Sequence, residues 1–333
     1  MSVDFQHFQS AHCESGVTSN LFINYNQPLS EALAFGIGGG AFFGYFPFVK
    51  VNKLPLTTFR TAPGAILKKT IKRLGATLAV KRFRNQAKAQ DQLNELVDQG
   101  TPVVLQTSVY WLPYFPPALR FHFNAHNLIV FGREGNEYLI SDPVFETPVR
   151  CTAKDLQRAR FATGPLGPRG RMSYFTSEPK DTDKAKAVRL GIKEACFKMT
   201  KMPVPFMGSR GIHMMANKIE KWPEVLGEKS ARQHLAQLIR MMEEIGTGGG
   251  AFRFIYAAFL MEAAEILNRP ALKELSREMT DIGDHWRQFA LMGAKRCKNR
   301  EDKDFSYAKL ANIAHQCADR EHQFFNQLAK QIS

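Results

Sequence analysis

"FNAHNLIVFGREGNEYLISDP", residues 123–143, reads as two strands closed by a tight turn, and this stretch decides what fold the chain can adopt. The runs 121–131 and 137–142 are rich in branched and aromatic residues, and the polar stretch between them holds Gly135 and Asn136, which predicts a hairpin. An antiparallel hairpin also sets which residues face each other. With a loop of odd length centred on Glu134, His126 lies directly across from Asp142, with Cβ atoms about 4.5–5.5 Å apart. With an even loop, Asn127 takes that place and His126 turns to the other face. The spacing permits an imidazole–carboxylate pair without forcing it.

The pair matters because of residues 9–22, "QSAHCESGVTSNLF". A helix is predicted over 13–26, with Val17, Leu21 and Asn24/Tyr25 at helical spacing, and it begins on Cys13. A structural cysteine normally lies further along the apolar stripe. At a helix N-terminus it feels the positive end of the macrodipole, which favours thiolate over thiol. Such a thiolate becomes a nucleophile when a histidine can take its proton and a third group orients that histidine.

The order Cys13, then His126 on a strand, then Asp142 on the next strand is that of papain-like hydrolases and transferases. Cys13 is then the nucleophile, His126 the base and later the acid, and Asp142 the orienting carboxylate. Each has a plainer reading alone: a small core residue for Cys13, a turn residue before Pro143 for Asp142. Their coincidence in this order favours the site. His122 and His126 form an HxxxH pair, but on a strand they stand roughly 13 Å apart, too far for one metal ion. No metal site is expected. His12 would point elsewhere on the helix. Papain-like enzymes often carry an oxyanion-hole glutamine six residues before the cysteine, where this chain has His7 flanked by Gln6 and Gln9. These three and Asn127 are the candidate supporting donors, beside the Cys13 backbone N–H.

The chain of 333 residues, 44% hydrophobic, is long enough for two domains with real cores. The opening MSVDFQHFQS is polar, and no apolar run approaches the roughly 20 residues of a membrane span, so neither a secretory leader nor a transmembrane segment is expected. Five cysteines, with no CxxC pair, argue against a disulfide scaffold and a structural zinc site; a reducing, cytoplasmic location is the simplest reading. The net charge of +14 is unevenly spread. Between Glu31 and Asp91 there is no acidic residue, but there are eleven basic ones: Lys50, Lys53, Arg60, Lys68, Lys69, Lys72, Arg73, Lys81, Arg82, Arg84 and Lys88. Such a field recruits an anionic partner, whether nucleic acid, anionic lipid or an acidic protein. A solvated surface with no partner is the plain alternative.

Helix and strand signals alternate in the first half. "TAPGAILKKTIKRLG" has a cap at Thr61, Pro63 near the first helical position and a stop at Gly75; "QAKAQDQLNELVDQG" is a helix ended by Gly100. "GIGGGAFFGYFPFVKV", "PVVLQTSVYW", "RFHFNAHNLIVFG" and "EYLISDPV" read as strands of a mostly antiparallel sheet. The fold class expected is α+β over residues 1–162, followed by a Pro/Gly/Arg-rich linker or active-site flap at 163–181 and an all-helical domain over 182–333. In that last part, segments near 183–200, 229–245, 251–267, 270–298 and 304–331 carry helical periodicity. Ten of the twelve methionines lie between Met199 and Met292; they read as core filling, or as a surface adaptable to acyl chains. Two glycine turns, "GIGGGAFFGYF" (36–46) and "GTGGGAFRFIY" (246–256), resemble each other. A glycine loop opening a helix offers N–H groups to phosphate, which would suit a phosphopantetheine arm at Gly248, Gly249 and Gly250. Close backbone packing is the competing reading, and without GK[ST] neither turn is a P-loop.

Taken together, "HCESG", "GIGGGAFFGYF", "AHNLIVFG…YLISDP" and "EEIGTGGGAFRFIYAAFLMEAAEIL" resemble the family of the butirosin biosynthesis acyltransferase BtrH, over most of the chain. The resemblance implies a papain-like (C39- or NlpC-like) cysteine-transferase domain joined to a helical one. It implies acyl transfer from an acyl carrier protein to an amine or hydroxyl of a small acceptor, through an acyl-Cys13 intermediate with His126 and Asp142. No cofactor would be bound by the chain itself; the carrier's phosphopantetheine arm is the donor. Carrier proteins are acidic, so Lys68, Lys69, Lys72, Arg73, Lys81, Arg82 and Arg84 are the docking residues implied. The oligomeric state, a homodimer included, stays open. Two other readings stand beside this one: a papain- or C39-type cysteine amidohydrolase or peptidase, and a non-catalytic scaffold binding a carrier protein or nucleic acid.

Overall fold

The computed structural model describes residues 5–51, 53–177, 183–301 and 303–332. Its helices are α1 (Cys13–Ile23), α2 (Glu31–Ile37), α3 (Ala65–Arg73), α4 (Gln86–Asp98), α5 (Ala153–Arg160), α6 (Lys184–Thr200), α7 (Gly208–Leu226), α8 (Glu228–Ile239), α9 (Arg253–Ile266), α10 (Ala271–Cys297) and α11 (Tyr307–Gln331). Its strands are β1 (Ala41–Val51), β2 (Leu54–Arg60), β3 (Thr77–Lys81), β4 (Val103–Thr107), β5 (His126–Glu134), β6 (Glu137–Ser141), β7 (Val149–Thr152) and β8 (Met172–Ser177).

The chain forms two compact units that interleave in sequence: Met1–Ala34 with Ile66–Asp183, and Phe35–Ala65 with Lys184–Ser333. This redraws the partition at 1–162, 163–181 and 182–333 in two places. The aromatic strand "AFFGYFPFVKV" is β1, and with β2 it belongs to the helical unit. The segment read as a linker or flap contains β8, which lies between β3 and β4 in the sheet. "MSYFTS" alternates well enough for a strand, but the Gly- and Pro-rich residues before it hid the pattern. Residues 178–181 of the expected flap lie outside the described residues.

In the first unit six antiparallel strands run in the order β3-β8-β4-β5-β6-β7. Strand alternation splits their side chains between two faces. Leu105, Leu128, Val130 and Ile140 point to one face and close a core with Leu93, Leu96 and Val97 of α4 and Leu156 and Ala159 of α5. The other face takes α1. Its Phe22 meets Phe175 edge-on at 5.5 Å, and Phe5, ahead of the helix, stacks on Phe131 at 4.8 Å. Helix α4 starts where Asn85 accepts the Lys88 N–H and stops before Gly100, as its capping residues dictate.

The second unit packs α6–α11 with the β1–β2 hairpin. Phe43 and Phe59 of the hairpin stand 6.5 and 5.5 Å from the buried Trp286 ring of α10, and this aromatic core is what holds the hairpin with the helices. Met199, Met215, Met242 and Met279 are buried among apolar side chains, in keeping with core filling. Helix α7 has no counterpart among the periodic segments read from the sequence, because Gly208, Gly211 and Pro223 argue against a helix there. Its apolar face, Ile212, Met215, Ala216, Ile219 and Trp222, is buried, and that packing outweighs local propensity. The first glycine turn serves close approach: a Cβ on Gly36 would lie 2.1 Å from the Phe259 ring.

Candidate active site

Cys13 is the first residue of α1, as its sequence neighbours dictate. His12 is the N-cap, and its Nδ1 stands 2.9 Å from the Ser15 hydroxyl. The preceding loop is tied from two sides. Glu31, at the start of α2, accepts the Ala11 N–H at 3.0 Å, the His12 N–H at 2.7 Å and the Ser15 hydroxyl at 3.1 Å. Burial raises the Glu31 carboxyl, against the pull of these donors. On the other side, the Ser10 N–H donates to the Pro143 carbonyl at 2.8 Å, which fastens the cysteine loop to the residue after Asp142.

His126 opens β5, so its ring lies at the end of the sheet. Its Nε2 is 2.7 Å from Asp142 Oδ2, both side chains being buried. The same Oδ2 accepts the Tyr114 hydroxyl at 2.9 Å, and Oδ1 accepts the Val144 N–H at 3.1 Å. Nε2 is committed to the carboxylate, and Cys13 lies near enough to act on the imidazole. Burial opposes a charged His126, but the Asp142 carboxylate, its hydrogen bond and Cys13 outweigh it, and the imidazole is pushed up to about 10. The direction favours a protonated ring, the counter-charge that a thiolate beside it would need. Burial, then the Asp142 charge, holds Tyr114 well above the ordinary phenol range, so its hydroxyl stays a donor. Burial likewise pushes the thiols of Cys151 and Cys196 up to about 12 and raises Cys297 and Cys317.

The hairpin reaches this geometry by a route different from either one considered in sequence. The turn is even: Gly135 and Asn136 alone separate the pair Glu134↔Glu137. An even turn by itself would turn His126 away from the Asp142 face. Between Val130↔Ile140 and Gly132↔Leu139, however, β5 carries one extra residue, Phe131, a β-bulge that shifts the register by one. Beyond it the pairing runs Ile129↔Ser141, and His126 shares a face with Asp142 diagonally rather than directly opposite. Phe131, stacked on Phe5, is the residue that the bulge sets aside.

The supporting candidates separate. The Asn127 amide nitrogen is 3.8 Å from Cys13 Sγ and donates to the Ala125 carbonyl at 3.2 Å, so it lies at the sulfur. His7 does not: its nitrogens are taken by Ser141 Oγ at 2.8 Å and the Phe145 carbonyl at 2.9 Å. Gln9 donates to the Val144 carbonyl at 3.1 Å, and the Gln6 side chain is exposed. These three brace the segment around Asp142 and the N-terminal strap, and they are set aside as oxyanion donors.

The phosphate role for Gly248–Gly250 is also corrected. The Gly249 N–H donates to Thr247 Oγ1 at 2.9 Å and the Gly250 N–H to Glu243 Oε1 at 3.0 Å, so the turn already cradles an anion of its own and repels another. Its glycines serve conformation: φ is positive at every residue from Gly248 to Phe252. The acid-free stretch divides as well. Lys50, Lys53 and Arg60 belong to the helical unit, with Arg60 buried; Lys68, Lys72, Lys81, Arg82, Arg84 and Lys88 are exposed in the first unit, while Lys69 and Arg73 are half-buried there. Tyr114 and Glu31 went unrecognised in sequence, since a tyrosine in a Pro-rich loop and a lone glutamate carry no spacing signal.

A helix opening on a cysteine thus packs on an antiparallel sheet that carries first a histidine and then an aspartate at its end. No curated protein matches the chain. A crystal structure from Bacillus anthracis described as a C39-like peptidase aligns with a TM-score of 0.37 at 14% identity, covering 53% of this chain and 96% of that one. The family described as butirosin biosynthesis protein H, N-terminal, matches residues 12–143, which hold Cys13, His126 and Asp142. A second family, the domain of unknown function DUF4872, matches residues 154–328, more than half of the chain. The chain therefore belongs to the DUF4872 family, in a BtrH-like form that carries the butirosin biosynthesis protein H N-terminal region ahead of that domain.

Proposed function

We propose that this protein is a cysteine acyltransferase that takes an acyl group from an acyl carrier protein thioester and passes it to an amine or hydroxyl of a small acceptor. The observation that carries this reading is the buried His126–Asp142 pair at 2.7 Å, with the next residue on the strand, Asn127, placing its amide nitrogen 3.8 Å from Cys13 Sγ. The Cys13 thiolate attacks the thioester carbonyl carbon; a C–S bond forms, and the bond to the phosphopantetheine sulfur breaks, that sulfur leaving with the proton of His126. The acceptor then attacks the acyl-Cys13 carbonyl, gives its proton to His126, and Cys13 leaves as thiolate. One thioester is exchanged for another in the first step, so little free energy is lost before the acceptor arrives. Asn127, at the sulfur, and the Cys13 backbone N–H are the donors best placed for the oxyanion. The exposed lysines and arginines between Lys68 and Lys88 suit an acidic carrier.

Mixing the protein with acyl-carrier protein and no acceptor, then recording intact mass, tests the reading. A thioester on Cys13 that is absent from Cys13→Ala is expected, and adding an amine should discharge it to an amide. Rapid discharge to water in the presence of amine would make the protein a hydrolase, and absence of any adduct would make it a scaffold. Reversing Lys68, Lys72, Lys81 and Arg84 to glutamate should raise the apparent KM for the carrier several-fold with kcat little changed. Adding salt should weaken the wild type more than this variant.

A further inference from the structure

His213 on α7 and His315 on α11 point Nδ1 at Nδ1 across 2.7 Å, with ring planes tilted by 32°. On the far side of His213, Nε2 lies 3.1 Å from Asp319 Oδ1. The carboxylate takes the Nε2 hydrogen, which leaves Nδ1 of the neutral ring as a lone pair aimed at its neighbour. Without a metal, one hydrogen on His315 Nδ1 fills the gap. A carboxylate behind one imidazole nitrogen, with the other nitrogen facing a second imidazole, is how proteins orient metal-binding histidines. About one turn further along α7 and two along α11, the Ser209 hydroxyl stands 3.0 Å from His322 Nδ1 and ties the same two helices together independently.

We propose that His213 and His315 form a two-histidine site for a divalent transition ion such as Zn2+, clamping α7 to α11, with Asp319 as the orienting carboxylate. Imidazole is a ligand that suits zinc, copper and nickel. In a tetrahedral shell with Zn–N distances of about 2.0–2.1 Å, two ligand nitrogens stand about 3.3 Å apart, so the rings need open by only about half an ångström. Both rings are half-buried at the surface, where a small χ rotation supplies this. The ion takes the place of the shared hydrogen, which moves to His315 Nε2; both ligands remain neutral imidazoles, and no net proton is released. Among the described residues no group of three His, Cys, Asp or Glu side chains converges on an ion, so water completes the shell and the site is a clamp rather than a closed zinc centre.

The test is thermal unfolding of the EDTA-stripped full chain with Zn2+ added alone, in the wild type and in Cys13→Ala, which separates zinc bound at the thiol. A saturable rise in Tm is expected in both. His213→Ala and His315→Ala should each abolish it, and Asp319→Asn should weaken the apparent affinity about 10- to 100-fold. No rise in the wild type, or a rise unchanged in both histidine variants, overturns the proposal. A second measurement needs no variant to fold: Zn2+ should protect His213 and His315 of the wild type from diethyl pyrocarbonate, read by peptide mass spectrometry. Equal modification with and without zinc overturns it as well.

Discussion

Each unit buries one acid–base pair, and the two pairs are built for opposite ends. In the helical unit, Arg253 sends Nε and Nη2 to the two oxygens of Glu321, each at 2.8 Å, and Nη1 to the carbonyls of Phe59 at 3.2 Å and Ala251 at 2.6 Å. Trp286 Nε1–H completes Glu321 at 2.7 Å. In the sheet unit, Asp142 is as well satisfied, by Tyr114, the Val144 N–H and His126. The cations differ. A guanidinium keeps its proton through the working pH range, so the first pair is a fixed brace. An imidazolium can give its proton away, and Cys13 lies near enough to act on the His126 ring. Two pairs of similar burial therefore differ in chemistry, because one cation is an arginine and the other a histidine, the base of the proposed reaction.

The largest effect expected is on the histidine pair. His126→Ala should slow acyl loading of Cys13 about a thousand- to ten-thousand-fold, measured by quenched-flow mass spectrometry. A smaller loss than tenfold would mean that the pair is a brace after all. Next comes the arginine pair: Glu321→Ala leaves a buried guanidinium without its carboxylate and should cost about 3–5 kcal/mol in urea unfolding. A cost under about 1 kcal/mol would mean that Arg253 finds water, and the contrast with His126 would fail.

The third prediction uses pH. Because folding raises His126 from about 6.5 to about 10, the pair's stabilisation is fully present below pH about 6.5 and is lost as pH rises toward 10. Asp142→Asn removes the main cause of that shift and should flatten this alkaline loss, which amounts to a few kcal/mol, while slowing acyl loading. An alkaline limb identical to that of the wild type would assign the titration to another group. The smallest effect sharpens the picture of Asp142. Tyr114→Phe removes one donor from its carboxylate and should slow loading about tenfold, the rate equivalent of one hydrogen bond to a charged group. No change would leave the Val144 N–H and His126 as sufficient partners.

The hairpin shows how far the chain could be read in advance. Gly135 and Asn136 mark the turn, and the residues around it mark the strands, so both were legible. The register was not, because it depends on Phe131 being set aside to stack on Phe5, a partner far away in sequence. Tyr114 and Glu31 were hidden for the same reason: each meets the site only after loops distant in sequence have packed. The β1–β2 hairpin and α7 were misjudged because aromatic packing on Trp286 and a buried apolar stripe outweigh adjacency along the chain and local propensity.

By itself, the sequence determined whatever rests on local chemistry. It set the helix opening on Cys13, the glycine stops at Gly75 and Gly100, the antiparallel turn, the order cysteine–histidine–aspartate and the surplus of positive charge. The expected cap at Thr61, by contrast, lies ahead of α3, which begins at Ala65. Only the tertiary structure decided which faces meet. It slipped β5 by one residue to bring His126 to Asp142, turned His7 and Gln9 toward carbonyl and hydroxyl partners, filled the glycine turn with Glu243, and set His213 against His315. Propensities and caps act within a few residues of one another, whereas register and side-chain pairing depend on burial of apolar area summed over the whole unit.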